Sequence, residues 1–128
     1  MVTKITKGIK ISVDTEFKGT YYKDTKLLYA FEYFISIENQ SSDVVQLNSR
    51  HWVILDSLNN QEVVKGEGVI GKKPVLKPGE IHNYKSGCLL ASPFGAMYGY
   101  YRMINLNNTK RFNVIIPSFK LNAPFATN

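Results

Sequence analysis

Cysteine and tryptophan occur once each and histidine twice in this 128-residue chain, and each scarcity excludes a class of chemistry. Cys88 alone cannot close an intramolecular disulfide, so the fold has to rest on an apolar core, and a reducing cytoplasmic setting is expected. His51 and His82 belong to no H-x-x-x-H pair, and no C-x-x-C occurs, so the spacing offers no zinc site. The acids are scattered and form no D-x-D-x-D-G loop for a hard cation. Neither a metal nor any other cofactor is expected. Ser86 lies in Y-K-S-G rather than in a G-x-S-x-G elbow, and Cys88 beside Leu89 and Leu90 reads as a small buried hydrophobe. No residue is therefore assigned a catalytic role, and the chain is expected not to be an enzyme. Long apolar runs are missing too: no window approaches the roughly eighteen residues of a membrane span, and residues 1–10 lack the apolar stretch of a signal peptide.

Hydrophobic residues make up 44% of the chain, enough for the core of one domain spanning residues 1–128. The net charge of +6 is unevenly placed. Residues 1–26 hold six lysines against three acids, residues 27–64 one arginine against five acids, and residues 65–128 nine basic residues against two acids. A basic second half raises local anion concentration. The arginine clusters of base and phosphate recognition are absent, which argues against a nucleic-acid partner and leaves at most weak anion or nucleotide binding.

The apolar pattern has a period of two. Leu27, Tyr29, Phe31, Tyr33, Ile35 and Ile37 alternate with residues that include Glu32, Ser36 and Glu38, and Ile9, Ile11 and Val13 alternate with Lys10, Ser12 and Asp14. Strands are expected over residues 9–17, 27–39, 44–47, 50–56, 62–65, 81–86, 97–105 and 111–116. Turn signals separate them at 23–24, 39–42, 57–60, 77–79 and 105–109. Residues 1–4 and 122–128 read as loosely held tails. No stretch shows a helical stripe, so the fold class is all-β, and the continuous aromatic face around Phe31 favours an antiparallel two-sheet sandwich over a barrel.

Gly66, Gly68 and Gly71 fit the dinucleotide spacing G-x-G-x-x-G, but a phosphate site of that type needs a helix opening at the third glycine. After Gly71 the chain runs Lys72, Lys73, Pro74, and Pro78 follows, which forbids an uninterrupted helix. Two readings remain: a structural loop whose glycines supply positive φ or close approach, and a phosphate cradle charged by Lys72, Lys73 and Lys77. The candidate ligand surface is this loop, with Arg50 and His51 at its border. Alternation along residues 50–52 puts Arg50 on the face of Trp52, expected to be core, and His51 on the opposite face. Tyr98 and Tyr100 share one strand face and Tyr101 takes the other, so one of these faces is core and the other is left for a partner. Exposed edge strands offer a further route, to a partner's strand or to a homo-oligomer.

The chain resembles the ApaG family. The resemblance is carried by Y-A-F-E-Y-F-I-S-I-E-N (29–39), V-Q-L-N-S-R-H-W-V-I-L-D (45–56), G-E-G-V-I-G (66–71), P-V-L-K-P-G-E (74–80), Y-K-S-G (84–87), G-A-M-Y-G-Y-Y (95–101) and I-P-S-F-K-L (116–121), in this order along nearly the whole chain. One departure is the S-L-N-N of residues 57–60, where members commonly carry an Asp-Gly turn. The resemblance implies an immunoglobulin-like sandwich similar to fibronectin type III, in a bacterial protein with no assigned reaction. It also implies an association with cobalt tolerance and magnesium efflux, and a role in interaction, since similar domains act as interaction modules in a eukaryotic F-box protein and a polymerase-delta-interacting protein. The function expected is a non-catalytic binding or regulatory domain with a protein partner; the alternative is a nucleotide- or pyrophosphate-binding protein using residues 66–71.

Overall fold

A computed structural model describes residues 1–57 and 61–126. Among the described residues, nine strands follow one another as β1 (Val2–Thr6), β2 (Ile9–Lys23), β3 (Lys26–Asn39), β4 (Val45–Asp56), β5 (Glu62–Glu67), β6 (Val75–Leu76), β7 (Ile81–Leu90), β8 (Phe94–Asn105) and β9 (Arg111–Asn122). Among the described residues a 3₁₀ turn, Pro124–Ala126, follows β9, and no α-helix occurs. One sheet has the order β1-β2-β3-β7; the other has β5-β4-β8-β9, with β6 beside β5 on the same edge of β4. All pairings are antiparallel.

The alternating residues of β2 and β3 build the core face of the first sheet: Ile9, Ile11, Val13, Phe31, Tyr33, Ile35 and Ile37 are all buried. Facing them are Leu47, Trp52, Met97, Tyr101, Val114, Ile116 and Phe119 of the second sheet. The aromatic face around Phe31 meets this layer as expected, with Tyr33 at 5.6 Å from Trp52 and 5.8 Å from Phe119 between ring centroids. Trp52 and Phe119 in turn meet edge to face at 86°. On one side the sandwich is closed by β1 lying along β9, where the Ile115 amide donates to Thr6 Oγ1. On the other side β7 and β5 are left as sheet edges.

Several strands run further than the alternation suggested, and three of the early ends share a cause. The expected strand ends at Phe17, Leu47 and Ile116 each fall on a β-bulge: Phe17 pairs Phe31 but Gly19 pairs Ala30, Leu47 pairs Met103 but Ser49 pairs Arg102, and Ile116 pairs Gly99 while Phe119 pairs Met97. An extra residue shifts the inward phase by one, so a single strand looks like a strand that stops. Residues 44–47 and 50–56 are therefore one strand, β4, with Asn48 as the inserted residue and core positions passing from Val45 and Leu47 to Trp52. Pro117 occupies the bulge of β9, where a missing N–H breaks no regular pairing.

The tails need correction as well. Residues 2–6 form β1 against β2, and at the other end Ala123 is fully buried while the Phe125 ring packs at 5.7 Å from Phe17. Of the turn expected at 57–60, residues 58–60 lie outside the described residues. The Lys23-Asp24 signal is a two-residue hairpin turn, with Asp24 and Thr25 at φ of 50° and 67°.

Candidate binding surface

The glycine motif becomes a clamp on Arg50. Gly66 is not in a loop but within β5, opposite Arg50, and a Cβ there would sit 2.8 Å from the guanidinium carbon. The guanidinium Nη1 donates to the carbonyls of Glu67 at 3.0 Å and Gly68 at 2.7 Å. Gly68 is buried at φ 58°, and its N–H donates to the carbonyl of the bulge residue Asn48. Val69 and Lys72 then exchange both backbone hydrogen bonds, at 2.8 and 3.0 Å, around Ile70 and Gly71 with φ of 48° and 71°. That is a tight turn of the type with two left-handed central residues. The amides of Gly68, Val69 and Lys72 thus serve the chain itself, and the carbonyls of Glu67 and Gly68 face inward to Arg50. A phosphate cradle requires the reverse, converging free amides at a helix start; here the chain leads through Lys73 and Pro74 into β6 instead.

The seven candidate residues do not converge on one point. Arg50, Gly66 and Gly68 meet as described, while the space around a Cβ on Gly71 is open. Lys73 forms an ion pair with Glu67 at 3.0 Å. Lys72 adds its charge to the burial that lowers the pKa of His82. His51 lies on the opposite face of β4, as its alternation with Trp52 requires, and its ring stacks on Tyr100 at 4.9 Å and 10°.

That outward face of the five-stranded sheet is organised in cross-strand rows. Lys65, His51, Tyr100 and Ile115 form one row; Glu67, Ser49, Arg102 and Asn113 the next; Val63, Val53 and Tyr98 lie on the other side. Val63, Tyr98 and Ile115 stay exposed, as does Leu55 beyond them. A groove of about 360 Å³ runs between His51, Lys65, Tyr100 and Arg102. Of the tyrosines weighed from the sequence, Tyr101 is the core member and Tyr98 and Tyr100 face out. Arg102 and Ile115 escaped the sequence reading, because only the register of β4 on β8 and β8 on β9 sets them beside His51 and Tyr100.

The interior holds ionisable groups in unreactive forms. Tyr84 and Tyr101 share a hydroxyl–hydroxyl hydrogen bond, and burial raises the pKa of both. Tyr33 is raised by burial against the opposing pull of its hydrogen bond with Ser86. Burial, then the nearby charges of Glu62 and Asp56, push the Cys88 thiol up to about 12. A thiol held in its protonated form is a poor nucleophile. Asp56 spends its carboxylate on structure, accepting from the Ala91 N–H at 2.6 Å and Ser92 Oγ at 2.5 Å.

This arrangement defines a class: an immunoglobulin or fibronectin type III-like β-sandwich, with its chemistry-bearing side chains tied into the frame and an aromatic and basic sheet face turned outward. Comparison with known proteins gives the family. The family model described as "ApaG domain" matches residues 19–105, and the chain belongs to that family. It is 42% identical over 126 residues to Protein ApaG of Beijerinckia indica subsp. indica, covering 98% of this chain and 96% of that one. Protein ApaG of Rhodospirillum centenum is 36% identical over 124 residues, covering 97% and 95%. Among solved structures, the putative ApaA protein from Bordetella pertussis overlays with a TM-score of 0.80 at 35% identity, over 91% of this chain and 94% of that chain. A protein from Archaeoglobus fulgidus, at 8% identity and a TM-score of 0.52, covers 88% and 95% and shares the fold alone.

Proposed function

We infer that this chain is a non-catalytic binding or regulatory domain acting in the cytoplasm through protein–protein interaction, with the outward face of the five-stranded sheet as its docking surface. The observation that carries the reading is the row of Lys65, His51, Tyr100 and Ile115 beside exposed Tyr98 and Val63. Aromatic side chains supply large contact area at low entropic cost, and tyrosine and arginine are enriched where binding energy concentrates. The charge of the face favours an acidic partner, because its one acid among these rows, Glu67, is already paired with Lys73 while Lys65 and Arg102 have no carboxylate in ion-pair reach among the described residues. The free edges β5 and β7 offer a second mode, pairing with a partner strand or with another copy. The family's association with cobalt tolerance and magnesium efflux is read as indirect, through the partner, since among the described residues no group of three or more His, Cys, Asp or Glu is gathered to hold a metal.

The test is affinity capture from the native lysate with the wild-type chain and with a Tyr98→Ser, Ile115→Ser variant whose circular dichroism matches wild type. Partners retained by the first and lost by the second are expected. Identical retained sets would remove the sheet face from the proposal, and turnover of nucleotides or diadenosine polyphosphates that disappears on His51→Ala would remove the non-catalytic reading itself.

A further inference from the structure

The end of the sandwich where β1 turns into β2, β3 into β4 and β8 into β9 holds a pocket of about 300 Å³, whose Arg111 lies one cross-strand row beyond Asn113 of the docking face. Its walls are fixed by side-chain amides. Asn39, fully buried, donates from Nδ2 to the carbonyls of Asp43 at 2.7 Å and Leu76 at 2.9 Å, and its Oδ1 accepts from the Ser41 N–H and hydroxyl. Across the pocket, Asn105 Oδ1 accepts the amides of Asn107 and Asn108, and its Nδ2 donates to Asp43 Oδ2 at 2.8 Å. The Val44 amide donates to Asn107 Oδ1 and so ties one wall to the other.

Three cations line it: Lys7, Lys110 and Arg111. None has a carboxylate in ion-pair reach among the described residues. The Lys7 ammonium stands 5.9 Å over the Phe112 ring, which positions it without neutralising it. Asn108 spends its side-chain oxygen on the Lys110 amide at 2.9 Å, leaving its NH₂ to donate. Asp43 is the lining carboxylate, and one of its oxygens is committed to Asn105. Three positive charges against one negative leave an unmatched charge close to that of a phosphate group, about −1.5 to −2 at neutral pH. A guanidinium fork beside two ammonium groups is the donor set that recognises phosphate oxygens.

We propose that this pocket binds a small phosphate-bearing ligand, either free phosphate or a phosphate monoester, with Lys7, Lys110, Arg111 and the Asn108 amide as its donors. The size suits a ligand of few heavy atoms, at the lower limit of small-molecule sites.

Amide NMR shifts of the full chain titrated with inorganic phosphate and with glycerol phosphate, against acetate and chloride at matched ionic strength, test this. Saturable shifts confined to residues 7–8, 41–44 and 107–112 are expected with the phosphates. Saturation by both means that the phosphate group is the recognised part; saturation by the ester alone means that the pocket also reads what the phosphate is attached to. Lys110→Gln and Arg111→Gln, both at exposed positions, should each weaken binding about tenfold or more. Asp43→Asn keeps an oxygen for Asn105 and removes the opposing charge, so it should tighten binding; Lys26→Gln, at the exposed β2–β3 hairpin, should leave it unchanged. Shifts that do not saturate, that appear equally with acetate or chloride, that survive both Gln variants, or that centre on residues 66–71 would overturn the proposal.

Discussion

Replacing Gly68 by alanine should destabilise the fold far more than the same change at Gly71, although both glycines belong to one motif and both have positive φ. At Gly71, φ is 71° and nothing lies within 4 Å of a new Cβ, so the variant bears only the left-handed backbone cost of about 1–2 kcal/mol. At Gly68, φ is 58° and the new Cβ would sit 2.1 Å from the Lys72 carbonyl oxygen. That atom is backbone and is already bonded to the Val69 amide, so relief requires opening the Val69–Lys72 pair. Losing two such bonds adds about 0.5–1.5 kcal/mol each, and the strained backbone a further 1–2 kcal/mol, for a total of about 2–5 kcal/mol. Displacement of the turn would also loosen the Arg50 contact with the Gly68 carbonyl. Urea unfolding followed by the fluorescence of Trp52, the only tryptophan and 3% exposed, reads both losses on one scale. Equal losses at the two positions, or a Gly68→Ala loss no greater than that of Gly71→Ala, would refute the reasoning that the motif is a structural turn built around close backbone approach.

Three further outcomes are expected. Tyr84→Phe and Tyr101→Phe should each cost about 1–3 kcal/mol by stranding the partner hydroxyl, while the double variant should cost clearly less than the sum; additive losses in urea unfolding would deny the hydroxyl pair. Cys88, Tyr33, Tyr84 and Tyr101 all have folded pKa values above their ordinary ones, so the unfolded chain binds fewer protons in the alkaline range, and the stability they contribute, full below the unfolded values, is lost as pH rises. Stability should therefore decline from the ordinary thiol value of 9.0 upward, with ionisation of the buried Tyr33, Tyr84 and Tyr101 appearing together with loss of the Trp52 signal; ionisation of these three tyrosines ahead of that loss would contradict this. Alkylation of Cys88 at mildly alkaline pH should be much slower in the native chain than in urea, and equal rates would show that the thiol is neither buried nor raised.

What the chain determined by itself was whatever repeats locally. A period of two along residues 9–17 and 27–37 is enough for strands, and the matching aromatic face is enough for a facing sheet, because side-chain alternation is a property of each strand alone. Prolines at 74 and 78 likewise excluded a helix after Gly71 without any fold being known. The bulges at Lys18, Asn48 and Pro117 were invisible because a bulge is defined by the partner strand: the same residues read as a strand end until the opposing ladder shows that pairing resumes one step out of phase. Residues 2–6 carry no sustained apolar alternation and become a strand only because β2 offers them an edge. The candidate surfaces divide in the same way. His51 on the face opposite Trp52 was legible from alternation, whereas its neighbours Lys65, Tyr100 and Ile115 come from three other strands, and Lys7 reaches Lys110 and Arg111 across about a hundred positions of sequence. Register and sheet order bring such residues together, and both are settled by burying the two apolar faces against each other, a long-range condition that no single segment contains.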